Sequence, residues 1–331
     1  MSISIENLLG IAVKAIKTLL CLSLLLTSSV SAKQISFSKQ PQDDHYIFNY
    51  QWLDHNNQPQ SMSFALTKPA LFERFRMLRP YQSEFAQKTI MRTVRKQLRK
   101  EPLKGAQAFF LQQDGKMVVQ VKGREDKNVA IAYQKVKEIE QEATSQYFKK
   151  NYYQMFITPD QLSGVKIDHA SIANVSVADF KVLKPIILDK VSIKNIRKVT
   201  NYVLSFVQSI PYSTLESRIT SSGAGFNPPA KLLWENQGDC DSKVTLTATI
   251  LRALMPRIDM AMIYIDKHAF IGIAIPAEAG EIAIEHEGVN YLLGEPTGPA
   301  LYGLGELAPE SELAVNQGRY VAEAYHSDGS I

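Results

Sequence analysis

Residues 240 to about 254 read as a helix that is apolar over most of its circumference. Val244, Ala248, Leu251 and Met255 line one side and Leu246, Ile250 and Leu254 another, all at helical spacing. Such a helix has no face to show to water and must sit inside a core. Gly238-Asp239 before it supplies a turn and a capping carboxylate. Its first residue is Cys240, a thiol at a helix N-terminus, where free backbone N–H groups favour an anion.

The sulfur has no disulfide partner in prospect. Residues 14–32 follow the order of a secretory leader: Lys14 and Lys17, the apolar run Leu19 to Leu26, then Val30-Ser31-Ala32. We expect cleavage after Ala32 and a periplasmic or secreted protein; the alternative is a leader kept as an anchor. The apolar run falls short of the ~20 residues of a spanning helix. Cys21 lies in this leader, and Leu20 before it is too bulky for lipoprotein processing. Cys240 is then the lone thiol of an exported chain and closes no internal disulfide.

The rest of the chain is long enough for two domains of ~100–200 residues each. We expect a leader over 1–32, a mixed hairpin and helix domain over 33–185, and a second domain over 186–331. A net charge of +4 gives no reason to expect a nucleic-acid partner, and membrane contact is expected only through an uncleaved leader. The six histidines lack metal-like spacing, and no Gly-rich phosphate loop follows a strand. Neither a metal nor a cofactor is expected.

Alternation over Tyr46–Trp52 and Ser61–Leu66, around Asp54-His55-Asn56-Asn57, predicts a β-hairpin. Helix is expected from about Pro69 to Lys100. A second hairpin, Ala106–Gln112 and Met117–Val121, turns at Asp114-Gly115. A long charged helix should follow from Asp126 to Asn151. Met155 to Leu188 reads as short β-like runs punctuated by Pro159 and Pro185. Ser192 is the expected N-cap of a helix through Val207, ended by Pro211. A Gly/Pro-rich loop, Ser221 to Pro229, leads to a short helix holding Leu232, Leu233 and Trp234. Strands are expected at Ala261–Ile265, His268–Ile275, Glu281–Glu285 and Val289–Gly294.

His268 opens the apolar strand Ala269–Ile275. At that lip it can reach a neighbouring helix terminus, and imidazole is the usual activator of a catalytic thiol. Glu295 follows the strand Tyr291-Leu292-Leu293-Gly294. If the two strands pair antiparallel, the carboxylate comes near the imidazole and can hold its tautomer. Asp266 is the local competitor.

Four stretches in this order, Phe206-Val207-Gln208-Ser209-Ile210-Pro211-Tyr212, Gly238-Asp239-Cys240-Asp241-Ser242-Lys243, His268-Ala269-Phe270 and Tyr291-Leu292-Leu293-Gly294-Glu295-Pro296-Thr297, resemble the transglutaminase-like superfamily of papain-like cysteine enzymes. The resemblance covers about Ser192 to Leu307. It implies an α+β fold, with a papain-like core in which a central Cys-bearing helix packs on an antiparallel sheet, preceded by a mixed α/β domain.

It also implies a mechanism. His268 takes the thiol proton, Cys240 attacks an amide carbonyl, and the thioester passes to water or an amine. The substrate is then a protein, peptide or cell-wall amide. The oxyanion would meet the Cys240 N–H and one more donor, for which Tyr212, Gln208 and Gln237 are candidates. The family's third residue is more commonly Asp, so Glu295 departs from the pattern by one methylene. A cleft that only binds, and a glutamine–amine transamidase, are the alternatives to a hydrolase.

Three side features are expected to be inert. Lys243 is expected in solvent, as is the basic face Arg92, Arg95, Lys96, Arg99 and Lys100. The aromatics Tyr147, Phe148, Tyr152, Tyr153 and Phe156 are expected to pack. Asp239 and Asp241 beside the sulfur work against a thiolate, so His268 and the helix terminus must outweigh them.

Overall fold

The computed structural model describes residues 33–113, 115–158, 161–217 and 225–327. The leader with Cys21 and its cut, Asp114 of the second turn, Pro159, and Ser221–Ala224 of the Gly/Pro-rich loop lie outside the described residues.

The chain is mixed α/β, and its described sheets are antiparallel. Strands β1 (Gln34–Gln42), β2 (His45–Leu53) and β3 (Pro59–Thr67) form a three-stranded sheet in that order. After the short helix α1 (Lys68–Phe72), helices α2 (Ser83–Lys100) and α3 (Asp126–Asn151) pack with the hairpin β4 (Ala106–Gln113) and β5 (Lys116–Gly123). A hairpin of β6 (Tyr153–Ile157) and β7 (Ser163–Ile167) leads to α4 (His169–Phe180) and α5 (Leu183–Lys190). Helices α6 (Ile196–Ser209), α7 (Pro229–Glu235) and α8 (Cys240–Leu254) follow. The chain ends in β8 (Met260–Ile265), β9 (His268–Ile273), β10 (Ala283–His286), β11 (Val289–Gly294), α9 (Pro309–Asn316) and β12 (Val321–Tyr325). Those strands make one sheet, ordered β10-β11-β9-β8-β12.

Helix α8 is enclosed as its pattern requires: α4, α5, α6 and α7 surround it, and β9 closes the remaining side. Every residue from Ser242 to Leu254 is buried. Thr245, Thr247 and Thr249 turn their hydroxyls onto the carbonyls of Asp241, Lys243 and Thr245 at 2.7–2.8 Å. Each buried hydroxyl is thus satisfied within the helix itself. Arg252 near the C-terminus donates to the carbonyls of Pro256, Ile258 and Tyr325.

The three-stranded sheet joins the same core. Phe48, Tyr50, Trp52, Met62, Phe64 and Leu66 form one apolar cluster with the buried faces of α6 and α8. Trp52 also donates its indole N–H to Ser205 of α6 at 3.1 Å. A single cluster therefore runs across the expected boundary near Pro185, and that proline is the third residue of α5. A proline is tolerated there because the first-turn N–H groups have no intrahelical acceptor.

Several local expectations change. The run Met155–Leu188 is one hairpin and then two helices. Asp168 caps α4 through the Ser171 N–H at 2.9 Å, and Ile172, Ala173, Ser176 and Phe180 form its buried stripe. Helix α6 starts later than expected, capped by Asn195, whose side chain accepts from the Lys198 N–H. Pro69–Lys100 breaks into α1 and α2 around a turn. Strands β1 and β12 and helix α9 had no expectation attached to them.

The basic residues of α2 are exposed along the whole helix, and Arg95 lies over the Phe110 ring at 4.5 Å. The aromatics near 147–156 pack on one another, Tyr147 and Phe148 against Tyr153 and Phe156 against Tyr264. Among the described residues no helix is long and apolar enough to cross a membrane.

Because the three-stranded sheet shares one core with α8, Trp52→Ala should destabilise both together by about 3–5 kcal/mol. Calorimetry should show β1–β3 and the α8 region melting in one transition shifted down together. Two separable transitions, with only one of them moved, would contradict the shared core.

Candidate active site

The mouth of α8 is set by a close backbone crossing. Tyr212 bridges Gly238 in parallel, with Gly238 N–H donating to Pro211 O at 3.2 Å and Ser213 N–H to Gly238 O at 3.1 Å. A Cβ on Gly238 would fall 2.7 Å from Leu232 Cδ1, so any larger residue there must displace the Leu232 side chain of α7. Asp239 then caps α8, accepting from the Ser242 N–H at 3.0 Å. The Ser242 hydroxyl in turn accepts from the Asn227 N–H at 2.8 Å.

Cys240 is 9% exposed, and its Sγ lies 2.8 Å from His268 Nδ1. The other ring nitrogen, Nε2, lies 2.5 Å from Glu295 Oε1. The second carboxyl oxygen accepts from the Ala308 N–H at 2.8 Å. Strands β9 and β11 pair antiparallel with Gly294 opposite Ile271. One further residue in that register brings Glu295 level with Phe270, on the side of the strand that His268 shares. The extra methylene of Glu supplies the remaining reach to the ring. An ionised carboxylate only accepts hydrogen bonds, so Nε2 carries a proton and Nδ1 is left facing the thiol.

The electrostatics favour a protonated imidazole. Burial alone would lower the His268 pKa, but its hydrogen bonds to Cys240 and Glu295 and their negative charges raise it to about 10. Asp239 is raised to about 7, first by burial and then by the charge of Asp241. Asp241 is raised too, by burial, against the pull of Lys166 and His268.

Lys243, expected in solvent, is 0% exposed. Its Nζ donates to Ile210 O at 2.5 Å. This ties α8, one turn beyond the sulfur, to the strip that pairs with Gly238. Burial lowers its pKa to about 7, while the negative charge at Cys240 works to keep it protonated. The ammonium is therefore within electrostatic reach of the thiol.

The three oxyanion candidates separate. Tyr212 is 50% exposed and its hydroxyl feels the charge of Cys240. Its pKa is raised by burial and then by the negative charge of Cys240 and Asp239. Gln208 is 2% exposed and its Nε2 donates to the carbonyls of Glu295 and Tyr302, both at 2.8 Å. Those contacts use both amide hydrogens, so its donors serve the backbone around Glu295 and not the face of the sulfur. Gln237 lies in the α7–α8 turn, where its backbone O accepts from Asn227 and its N–H donates to Leu232 O.

Two groups at the site had no expectation attached to them. His55, read only as part of a turn, has its Nε2 3.0 Å from Gln208 Oε1 and 2.9 Å from Tyr302 O. On the other side of the mouth, His169 Nε2 is 3.9 Å from Asp241 Oδ2 and its Nδ1 is 3.0 Å from the Tyr264 hydroxyl. Burial, then the charge of Lys166, holds His169 well below the usual histidine range. Lys166 itself pairs with Glu323 of β12 at 2.8 Å. These long-range meetings leave no mark in local spacing. Among the described residues no group of three or more His, Cys, Asp or Glu is arranged to hold a metal ion.

No family model, no curated protein and no solved structure matches this chain.

Asp239 gives a pH test with a definite sign. Its folded pKa, about 7, lies above the ordinary carboxylate value of 3.8. The native state therefore binds more protons between those values and loses stability as pH rises through them. Asp239→Asn keeps a capping oxygen without that charge. It should be more stable than the parent at pH 8, with the gap closing as pH falls toward 4. Urea midpoints at the two pH values measure this; a gap unchanged between them would refute the assignment.

Proposed function

We propose that the chain is an exported, transglutaminase-like cysteine enzyme that hydrolyses an amide or peptide bond through a thioester on Cys240. The observation that carries this reading is the unbroken contact chain from Sγ to Nδ1 at 2.8 Å and from Nε2 to Oε1 at 2.5 Å. It stands at the N-terminus of a buried helix. A cysteine-bearing helix packed on an antiparallel sheet, with His and the acid on paired strands, also supports a papain-like core. The order of charged, apolar and small residues over 14–32 supports export.

In this reading His268 Nδ1 takes the thiol proton and Sγ attacks the amide carbonyl carbon. The C–S bond forms as the carbonyl electron pair moves to oxygen. That oxyanion meets the Cys240 N–H, which has no intrahelical partner, and the Tyr212 hydroxyl as second donor. The tetrahedral centre collapses, the C–N bond breaks, and the amine leaves with the proton from Nδ1. Water then adds to the thioester, giving its proton to Nδ1. The C–S bond breaks, releasing the acid, and the proton returns to sulfur. Glu295 holds the ring in the required tautomer and stabilises the imidazolium.

Iodoacetamide alkylation of Cys240 across pH tests the pair. The parent should react fast at neutral pH and change again near pH 10 as His268 loses its proton. His268→Ala should remove that upper limb, and Glu295→Gln should weaken it. A single rise near the ordinary thiol value of about 8.5, unaltered in His268→Ala, would overturn the reading.

Turnover of a peptide library gives the second test. Cys240→Ser should abolish it and His268→Ala should reduce it about 10²–10⁴-fold. Incorporation of an added amine in place of water would make the enzyme a transamidase. Full-affinity ligand binding with no turnover by the parent would make the cleft a binding module.

A further inference from the structure

The three-stranded sheet of the N-terminal half reaches the site through one side chain. The turn between β2 and β3 is rigidly made. Asp54 accepts from the Asn56 and Gln58 N–H groups, both at 2.9 Å, and from Gln60 Nε2 at 2.8 Å. Its backbone closes the turn with Asn57 and Gln58. This turn points His55 at α6, where Trp52 has already bonded Ser205. Gln208 lies three residues further along α6, on the same face.

The hydrogen bonds assign themselves. A proton on His55 Nε2 serves both acceptors, Gln208 Oε1 at 3.0 Å and Tyr302 O at 2.9 Å. With Oε1 fixed, the Gln208 amide must direct its two hydrogens at Glu295 O and Tyr302 O. Asn201, two turns earlier on α6, accepts from the Leu304 N–H at 2.7 Å. The loop fastened at 295, 302 and 304 supplies both the carboxylate facing His268 and the Ala308 N–H that holds its second oxygen. Packing alone would be served as well by apolar side chains of this size, whereas a satisfied polar network specifies one geometry.

We infer that His55 is a positioning residue of the active site: acting through Gln208, the β2–β3 turn holds the 295–308 loop so that Glu295 is aimed at His268. The inference rests on the cysteine-enzyme reading, because its effect is on the thiol–imidazole–carboxylate chain. It gives the N-terminal sheet a working part in the site.

The test is the iodoacetamide alkylation rate of the full-length protein at pH 7, with the melting temperature recorded for each variant. His55→Leu removes the N–H and should slow alkylation about 10–100-fold, since a displacement of about 1 Å at a site can cost that much. His55→Gln places an amide N–H where Nε2 stood and should restore the rate to within about threefold. If His55→Leu does not fold, Gln208→Met, which keeps the volume and removes both donors, should show the same slowing.

Equal slowing in His55→Leu and His55→Gln, tracking their melting temperatures, would overturn the inference in favour of a purely structural role. An unchanged rate in His55→Leu, alongside a slowed His268→Ala, would overturn the inference and leave the cysteine-enzyme reading standing. No effect of His268→Ala would remove both.

Discussion

The enclosure of α8 governs the rest of the molecule. A fifteen-residue helix with no solvent side needs neighbours all round, and the chain spends α4 to α7 and β9 on supplying them. Only Cys240 and Asp241 reach the rim, at the end where the helix leaves N–H groups it cannot satisfy internally. Enclosure also explains the threonines, whose hydroxyls are returned to the helix backbone. The two buried cations need carbonyls from outside: Ile210 holds the Lys243 ammonium, and Pro256, Ile258 and Tyr325 hold Arg252.

Much of this was legible in the sequence because it is local. The apolar periodicity of α8, the Gly238-Asp239 start, the strand that His268 opens and the one that Glu295 follows all depend on residues a few positions apart. The hairpin of β2 and β3 was equally plain from alternation. The pairing of β9 with β11 was conditional on topology, and the register then made the longer Glu side chain an advantage.

What spacing could not give are the meetings between distant segments. His55 and Tyr302 are separated by 247 positions and Gln208 and Glu295 by 87. A turn histidine carries no local sign of such a partner, and a glutamine on an apolar helix face looks as suited to an oxyanion as to a backbone clamp. Lys243 was misjudged for a related reason, since a lysine beside two aspartates reads as surface until the helix around it is seen to be sealed. Helices α4 and α5 were obscured by β-branched residues and by Pro185, whose place in a first turn removes its usual meaning.

The order in which these parts occur along the chain has a kinetic meaning. The imidazole, the carboxylate and the Ala308 N–H all come after Cys240, while the turn that braces them comes near the beginning. A site that depends on such distant contacts forms only after they have closed. A chain still emerging, or unfolded for passage elsewhere, carries the thiol but no base beside it. On the proposed reading, the thiol becomes reactive only when the segments around residues 55 and 295–308 have closed on the middle, so that reactivity itself reports completed folding.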